Sequence, residues 1–310
     1  MGVPRRAVIA FAGAVIGLVL AAVTWFIAFH VGLVERVDAS VLGGFAGLRR
    51  PWIDSKAYSI ATLCNAKPYV LLCAVLLLVA LILRRGRVAV AVVGILLGAN
   101  LTTQILKSLL TQSHPVRFYL DGMLMVRGAA WPSGHATAAM SLALSAVLVS
   151  RARWRPVVAA LGAAFAIAVS FSFLILIWHY PSDVLGGFLV AATWTLLGVA
   201  GVWTADARWP RRAPRSSPAR LTAREALAPP AIALLGALAV VGVVALARPH
   251  PVVAYARAHT AFVIGATMIG VLGFALAIGL MLATTLPVTA TDSGPVPTAA
   301  PRRRWRRARG

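Results

Sequence analysis

Charge is scarce in this chain. Only 12% of its 310 residues are charged, and eight of those are Asp or Glu against thirty Lys and Arg. With 60% hydrophobic residues and a mean hydropathy of +0.85, so little charge excludes an ordinary water-soluble domain. Cysteine is almost absent: Cys64 and Cys73 are the two. If one helix carried both they would stand about 13 Å apart, too far to bridge, so they say nothing about redox compartment. Metal-ligand spacing is missing as well. Apart from the single pair His179 and Asp183 there is no cluster of His, Cys and carboxylates, so neither a metal nor another cofactor is expected. No internal repeat is evident.

What the chain does have is a series of long apolar runs. Crossing hydrocarbon takes about 20 apolar residues per helix, and eight segments come close: Ala7 to Val31, Pro68 to Leu83, Val88 to Leu110, Ser133 to Val149, Pro156 to Trp178, Pro181 to Trp203, Pro230 to Ala247 and Thr260 to Leu286. The second is short and needs local bilayer thinning, or extension back through Lys67 toward Ile60. The first follows MGVPRR, which resembles a signal-peptide start. Its apolar run exceeds the roughly 7 to 15 residues of such signals and lacks a clean small-residue cleavage site, so it reads as a retained anchor.

A net charge of +22 raises nucleic acid as a partner, and its distribution argues against one. Twenty of the thirty Lys and Arg fall on one side of the alternating spans: Arg5, Arg6, Arg84 to Arg87, Arg151 to Arg155, Arg208 to Arg224 and Arg302 to Arg309. By the positive-inside bias both termini are expected in the cytoplasm. The linker with RWPRRAPRSSPAR and the tail PRRRWRRARG are Pro/Arg/Ala-rich and read as disordered. The tail also suits anionic lipid headgroups.

The unusual residues collect on the opposite, outer side. Lys107 lies near the end of the third span, His114, Arg117 and Arg127 follow in the loop, Ser133, Gly134 and His135 open the fourth span, His179 closes the fifth and Asp183 begins the sixth. Each has an ordinary reading: a lysine snorkels, a serine caps a helix, an aspartate complements a helix dipole. Two histidines, a lysine and an aspartate from four helix ends at one depth ask for a common explanation. Phosphoryl transfer needs positive charge and N–H donors around phosphate oxygens, a nucleophile in line and an acid for the leaving oxygen. A helix opening with Ser-Gly supplies donors, and lysine supplies a point charge. A histidine beside a carboxylate is a nucleophile, and a second one exchanges protons. The set fits a metal-independent phosphatase.

The stretches KSLLTQSHP, PSGH and SFLILIWHYPSD resemble the three signatures of the type 2 phosphatidic acid phosphatase superfamily: Lys-x6-Arg-Pro, Pro-Ser-Gly-His and Ser-Arg-x5-His-x3-Asp. Lys107 and Pro115 fit the first, Pro132 to His135 the second, and Ser172, His179 and Asp183 the third. The resemblance implies an all-α polytopic membrane protein with a six-helix phosphatase-like core in residues 1–203. A basic linker then occupies 204–229, two additional transmembrane helices 230–286 and a polybasic tail 287–310. It also implies roles: His179 as nucleophile, Asp183 as its orienter, His135 as acid and base, and Lys107, Ser133 and Gly134 on phosphate oxygens. The expected substrate is a phosphate on an apolar tail, a lipid phosphate or a polyprenyl pyrophosphate, reached at the outer membrane face. The sequence does not choose the headgroup or the oligomeric state.

Two departures from the pattern matter. His114 and Phe173 stand where the family has arginines that grip phosphate, and such contacts are worth on the order of 1,000-fold by analogy with arginine fingers. Arg117, Arg127 and a protonated His114 are the candidate substitutes. The departures also admit an alternative, a catalytically degenerate lipid-phosphate binder that partners another protein. A transporter would need a polar path, and Asn100, Thr102, Thr103, Gln104, Ser170 and Ser172 are more simply read as interhelical hydrogen-bonding groups.

Overall fold

The structure, a computed structural model, describes residues 3–110, 131–210 and 221–285. All regular elements among them are helical. The eight expected spans appear as α1 (Arg5–His30), α4 (Ala66–Ile82), α5 (Gly86–Leu110), α6 (Gly134–Val149), α7 (Arg155–Ile175), α8 (Pro181–Arg208), α9 (Ala223–Ala247) and α11 (Thr260–Thr285). Six of these are long and apolar enough to cross a membrane unaided, and α6 is a shorter apolar helix. The chain is a multi-pass membrane protein.

Three further helices were not foreseen from the sequence: α2 (Gly32–Ala46), α3 (Pro51–Ala61) and α10 (Pro249–Ala258). The expected backward extension of the second span exists, but as a separate helix. The run Pro51–Cys64 meets Ala66–Ile82 at a 53° bend. Asn65, with extended backbone (φ −66°, ψ 159°), forms the corner. Cys64 therefore lies in a 3₁₀ turn after α3 and Cys73 in α4, so the premise of one helix carrying both fails, and both thiols are free.

α6 is the central helix. Nearly every residue from Ala136 to Val149 is buried, and α5, α7, α8 and α11 surround it. Its sequence explains this: Ala136, Ala138, Ala139, Ser141, Ala143 and Ser145 keep it thin, so neighbouring backbones approach closely without a hydrophobic drive between helices. Gly187 of α8 is one such close contact, near the N-terminal end of α6. A Cβ added there would lie 2.8 Å from the Ser133 carbonyl oxygen and 3.0 Å from the Thr137 backbone nitrogen. Gly187→Ala is therefore expected to push α8 off α6 and cost about 1–3 kcal/mol. A denaturant titration in detergent checks this, and an unchanged midpoint would refute the contact.

α1 runs antiparallel to α8, with Gly13 facing Leu196 and Gly17 facing Thr193. The polar residues of the spans are used between helices. Asn100 donates to Tyr69 Oη, Thr103 to Thr137 Oγ1 at 3.1 Å, and Trp194 Nε1 to Thr102 Oγ1 at 3.0 Å. They tie α4, α6 and α8 to α5 rather than line a path. Tyr255 of α10 donates to the Gly44 carbonyl of α2, fastening the connection between α9 and α11 to the outer layer.

Candidate active site

Four helix ends meet at one end of the bundle: the C-termini of α5 and α7 and the N-termini of α6 and α8. The cap of α6 is Ser133, fully buried, whose Oγ accepts from the Ala136 amide at 3.3 Å. Its own amide donates to the Asp183 carbonyl at 2.9 Å, joining the mouths of α6 and α8 directly. The chain reaches this cap through a cis Trp131–Pro132 bond. The Trp131 indole lies over Gly186, where a Cβ would come within 2.5 Å of Nε1. Gly134 follows, and the Lys107 amine sits 3.4 Å from where its Cβ would be. Glycine here leaves the space that the lysine head occupies.

His135, half-buried, and His179, 7% exposed, have ring centroids 6.5 Å apart at 60°. His179 Nδ1 lies 3.4 Å from Asp183 Oδ2, within ionic range though without hydrogen-bond geometry. That oxygen accepts instead from the Tyr180 amide at 2.8 Å, so the fully buried Asp183 also closes the first turn of α8. Lys107 is within electrostatic range of Asp183, and His135 within range of both His179 and Lys107. The catalytic set read from the sequence, His135, His179 and Asp183, is thus gathered in one place with Lys107, Ser133 and Gly134. His114, Arg117 and Arg127 lie outside the described residues.

Phe173 occupies a decisive position. Fully buried, it stands edge-on to His179 at 5.2 Å and 6.1 Å from His135. An apolar ring thus walls both imidazoles where the family pattern places a cation, which limits how either ring rotates. Among the described residues Lys107 is the site's full positive charge, with the amides at the openings of α6 and α8 as partial ones.

Three positioning residues escaped the sequence reading. Asn65 Oδ1 accepts from His135 Nε2 at 3.0 Å, which leaves Nδ1 with the lone pair. Asp38 of α2, 6% exposed, accepts from the Ser182 amide at 2.9 Å and the Ser182 hydroxyl at 2.6 Å, fixing the start of α8 beside Asp183. Ile177 has φ 61°. A β-branched residue in the left-handed region is an outlier, costing on the order of 1–3 kcal/mol. It lets Trp178 N–H reach the Phe173 carbonyl at 2.9 Å, ending α7 abruptly at Ile175, four residues before His179. One available signal pointed to Asp38, one of only eight acidic residues. Asn65 had a weaker one, a cap-type residue just before an apolar helix. Nothing in the sequence marks Ile177.

No curated protein matches the chain. Among solved structures it is similar to the crystal structure of the first transmembrane PAP2-type phosphatidylglycerolphosphate phosphatase from Bacillus subtilis. That match has 20% identity and a TM-score of 0.48, covering 65% of this chain and 98% of that one. The model of the PAP2 superfamily matches residues 88–207. That segment contains α5 to α8 up to Ala207, hence Lys107, Pro132 to His135, His179 and Asp183. Over this segment, about two fifths of the chain, the sequence is similar to the PAP2 superfamily.

Proposed function

We propose that the chain hydrolyses a phosphate or diphosphate carried on a lipid, without a metal, at the outer membrane face through a phosphohistidine on His179. The observation carrying this reading is the 6.5 Å pairing of His135 and His179 with Lys107 and the Ser133–Gly134 helix opening around them. In the first step His179 Nε2 attacks phosphorus and the P–O bond to the lipid breaks. Protonated His135 gives its proton to the leaving oxygen. In the second, neutral His135 takes a proton from water, whose oxygen attacks phosphorus. The P–N bond breaks, and inorganic phosphate leaves. Asp183 stabilises the imidazolium character of His179, while Lys107 and the α6 amides take up charge on the equatorial oxygens.

The surroundings favour an apolar tail. Beside the site lies a cavity of about 190 Å³ walled by Leu18, Ala22, Trp25, Leu106, Trp131 and Val190, among others. It joins α1, α5 and α8 next to the residue that precedes Pro132. Ala22→Phe is expected to fill this space and lower kcat/KM for long-chain lipid phosphates about tenfold, roughly the worth of one to two methylenes' contacts. Turnover of a short-chain phosphate should stay unchanged. Equal loss on both would remove the cavity from the substrate path. An outward location is supported by the opposite end of the bundle, where Arg84, Arg85, Arg87, Arg151 and Arg155 gather at helix termini.

The direct test is phosphate release from purified, chelator-treated protein. The panel includes phosphatidate, phosphatidylglycerol phosphate and a polyprenyl pyrophosphate. Turnover of at least one without metal is the expected result. Tight binding with no release across the pH range would instead establish the degenerate binder that Phe173 and His114 suggest.

A further inference from the structure

The cavity of about 190 Å³ beside the site continues toward the far end of the bundle. Two more hollows follow it, one of about 620 Å³ between α5 and α8 and one of about 470 Å³ between α1 and α8. They share walls: Trp194 belongs to the first and second, and Leu197, Gly201 and Ala205 belong to the second and third. On α8 the lining residues Val190, Trp194, Leu197, Gly201 and Ala205 step by three or four, so they form a single stripe along one face. Leu110, Leu106, Thr102, Ile95, Ala91 and Arg87 trace the matching line on α5. One groove, floored by α8 and walled by α5 and α1, therefore runs the length of the bundle.

At its catalytic end the groove passes Leu106 and Trp131, the sequence neighbours of Lys107 and Pro132. At the other end it reaches Gly86 and Arg87. Along α5 that is 25 residues, about 36 Å from the helix rise, which exceeds the roughly 30 Å of a bilayer's hydrocarbon. Two leaflets share that thickness, so an acyl chain whose headgroup sits at His179 ends near the midplane. It fills only the half between Leu110 and Trp194. The floor is one stripe wide, which suits one chain rather than a pair. Trp194 stands midway, its ring laid against α5, where a Cβ at Gly98 would come within 2.5 Å of it. Its Nε1 donates to Thr102 Oγ1, so the ring offers the groove an apolar wall. Beyond it the groove is held open by absent side chains. A Cβ at Gly94 or Gly201 would meet nothing within 4 Å.

We infer that this groove seats the substrate's tail across the whole hydrocarbon thickness. It thereby selects a phosphate or diphosphate carried on one linear tail longer than a leaflet, of the polyprenyl class, over a glycerolipid phosphate with paired acyl chains. The inference rests on the proposed hydrolysis at His179 for the head of that substrate. Trp194, Gly94 and Gly201 are the specificity-determining residues. The tryptophan divides the part of the groove a short tail reaches from the part only a long one enters, and the two glycines keep that far part open.

The test uses the full chain in phosphatidylcholine nanodiscs with two photoreactive probes, a long polyprenyl phosphate and farnesyl phosphate, each carrying a diazirine at the end of its tail. Crosslinked peptides are mapped by mass spectrometry. The long probe should label the far half, around Gly94 and Gly201, and farnesyl phosphate the near half, around Ala22 and Leu106. Gly94→Leu combined with Gly201→Leu adds bulk where the groove is open. It should abolish the far-half label and lower the ratio of kcat/KM for polyprenyl over farnesyl diphosphate about tenfold. Long-probe label scattered over bilayer-facing positions such as Leu71 and Leu161, or a far-half label and length ratio unmoved by the double variant, would overturn the inference. Labelling needs no turnover, so the two readings part. Far-half label without phosphate release removes the hydrolysis and keeps the groove as a tail site, whereas phosphate release with scattered label does the reverse.

Discussion

Replacing His179 by alanine is expected to lower lipid phosphate hydrolysis by roughly 10⁴-fold or more, because loss of a covalent nucleophile removes the pathway rather than weakening it. The residue is 7% exposed and Phe173 packs against its ring, so stability must be followed alongside activity. An unchanged unfolding midpoint with abolished turnover separates chemistry from folding. The parent protein, quenched in acid-free conditions after a short incubation with labelled substrate, should hold one labile phosphate that His179→Ala lacks. Label persisting in the variant would move the nucleophile elsewhere.

A second large effect separates the two imidazoles by role. His135→Ala removes the group proposed to protonate the leaving oxygen, so alkyl phosphates should slow by roughly 10²–10⁴-fold. An aryl phosphate, whose leaving group departs without a proton, should slow far less. Asn65→Asp extends the same test through the residue that holds His135 at 3.0 Å. A carboxylate beside the imidazole favours its charged form and raises its pKa. With His135 as the proposed acid, activity is lost as pH rises through that pKa, and the alkaline limb of the rate profile should move upward. An alkaline limb that stays fixed, or equal losses on alkyl and aryl substrates, would deny His135 the proton.

The spans and the candidate site residues were legible in the sequence for the same reason: both are written in short local patterns. A membrane crossing is a run of apolar residues, and α1, α5, α7, α8, α9 and α11 appear where such runs lie. Pro-Ser-Gly-His and His-x3-Asp each fit within one helix mouth, and the structure brings them together. The helices α2, α3 and α10 were not legible because they are short and mixed in character. Glu35, Arg36 and Asp38 sit within one turn of α2, and their sense emerges only when Asp38 meets Ser182, 144 residues later. Asn65 was missed likewise, since its partner lies 70 residues away. The departure at Phe173 was visible as a letter. Its place against both imidazoles was not, because an aromatic residue in an apolar span is indistinguishable from ordinary packing until the α7 terminus is in view.

The bend at Asn65 and the left-handed turn at Ile177 divide the machinery between two kinds of support. The ring that would bond to phosphorus is mounted on a stiff corner, braced by backbone hydrogen bonds from its own helix. The ring that would handle protons is tethered to a joint between α3 and α4. Straightening that joint would withdraw the tether without disturbing the corner, so this architecture allows proton handling to be tuned separately from bond formation to phosphorus.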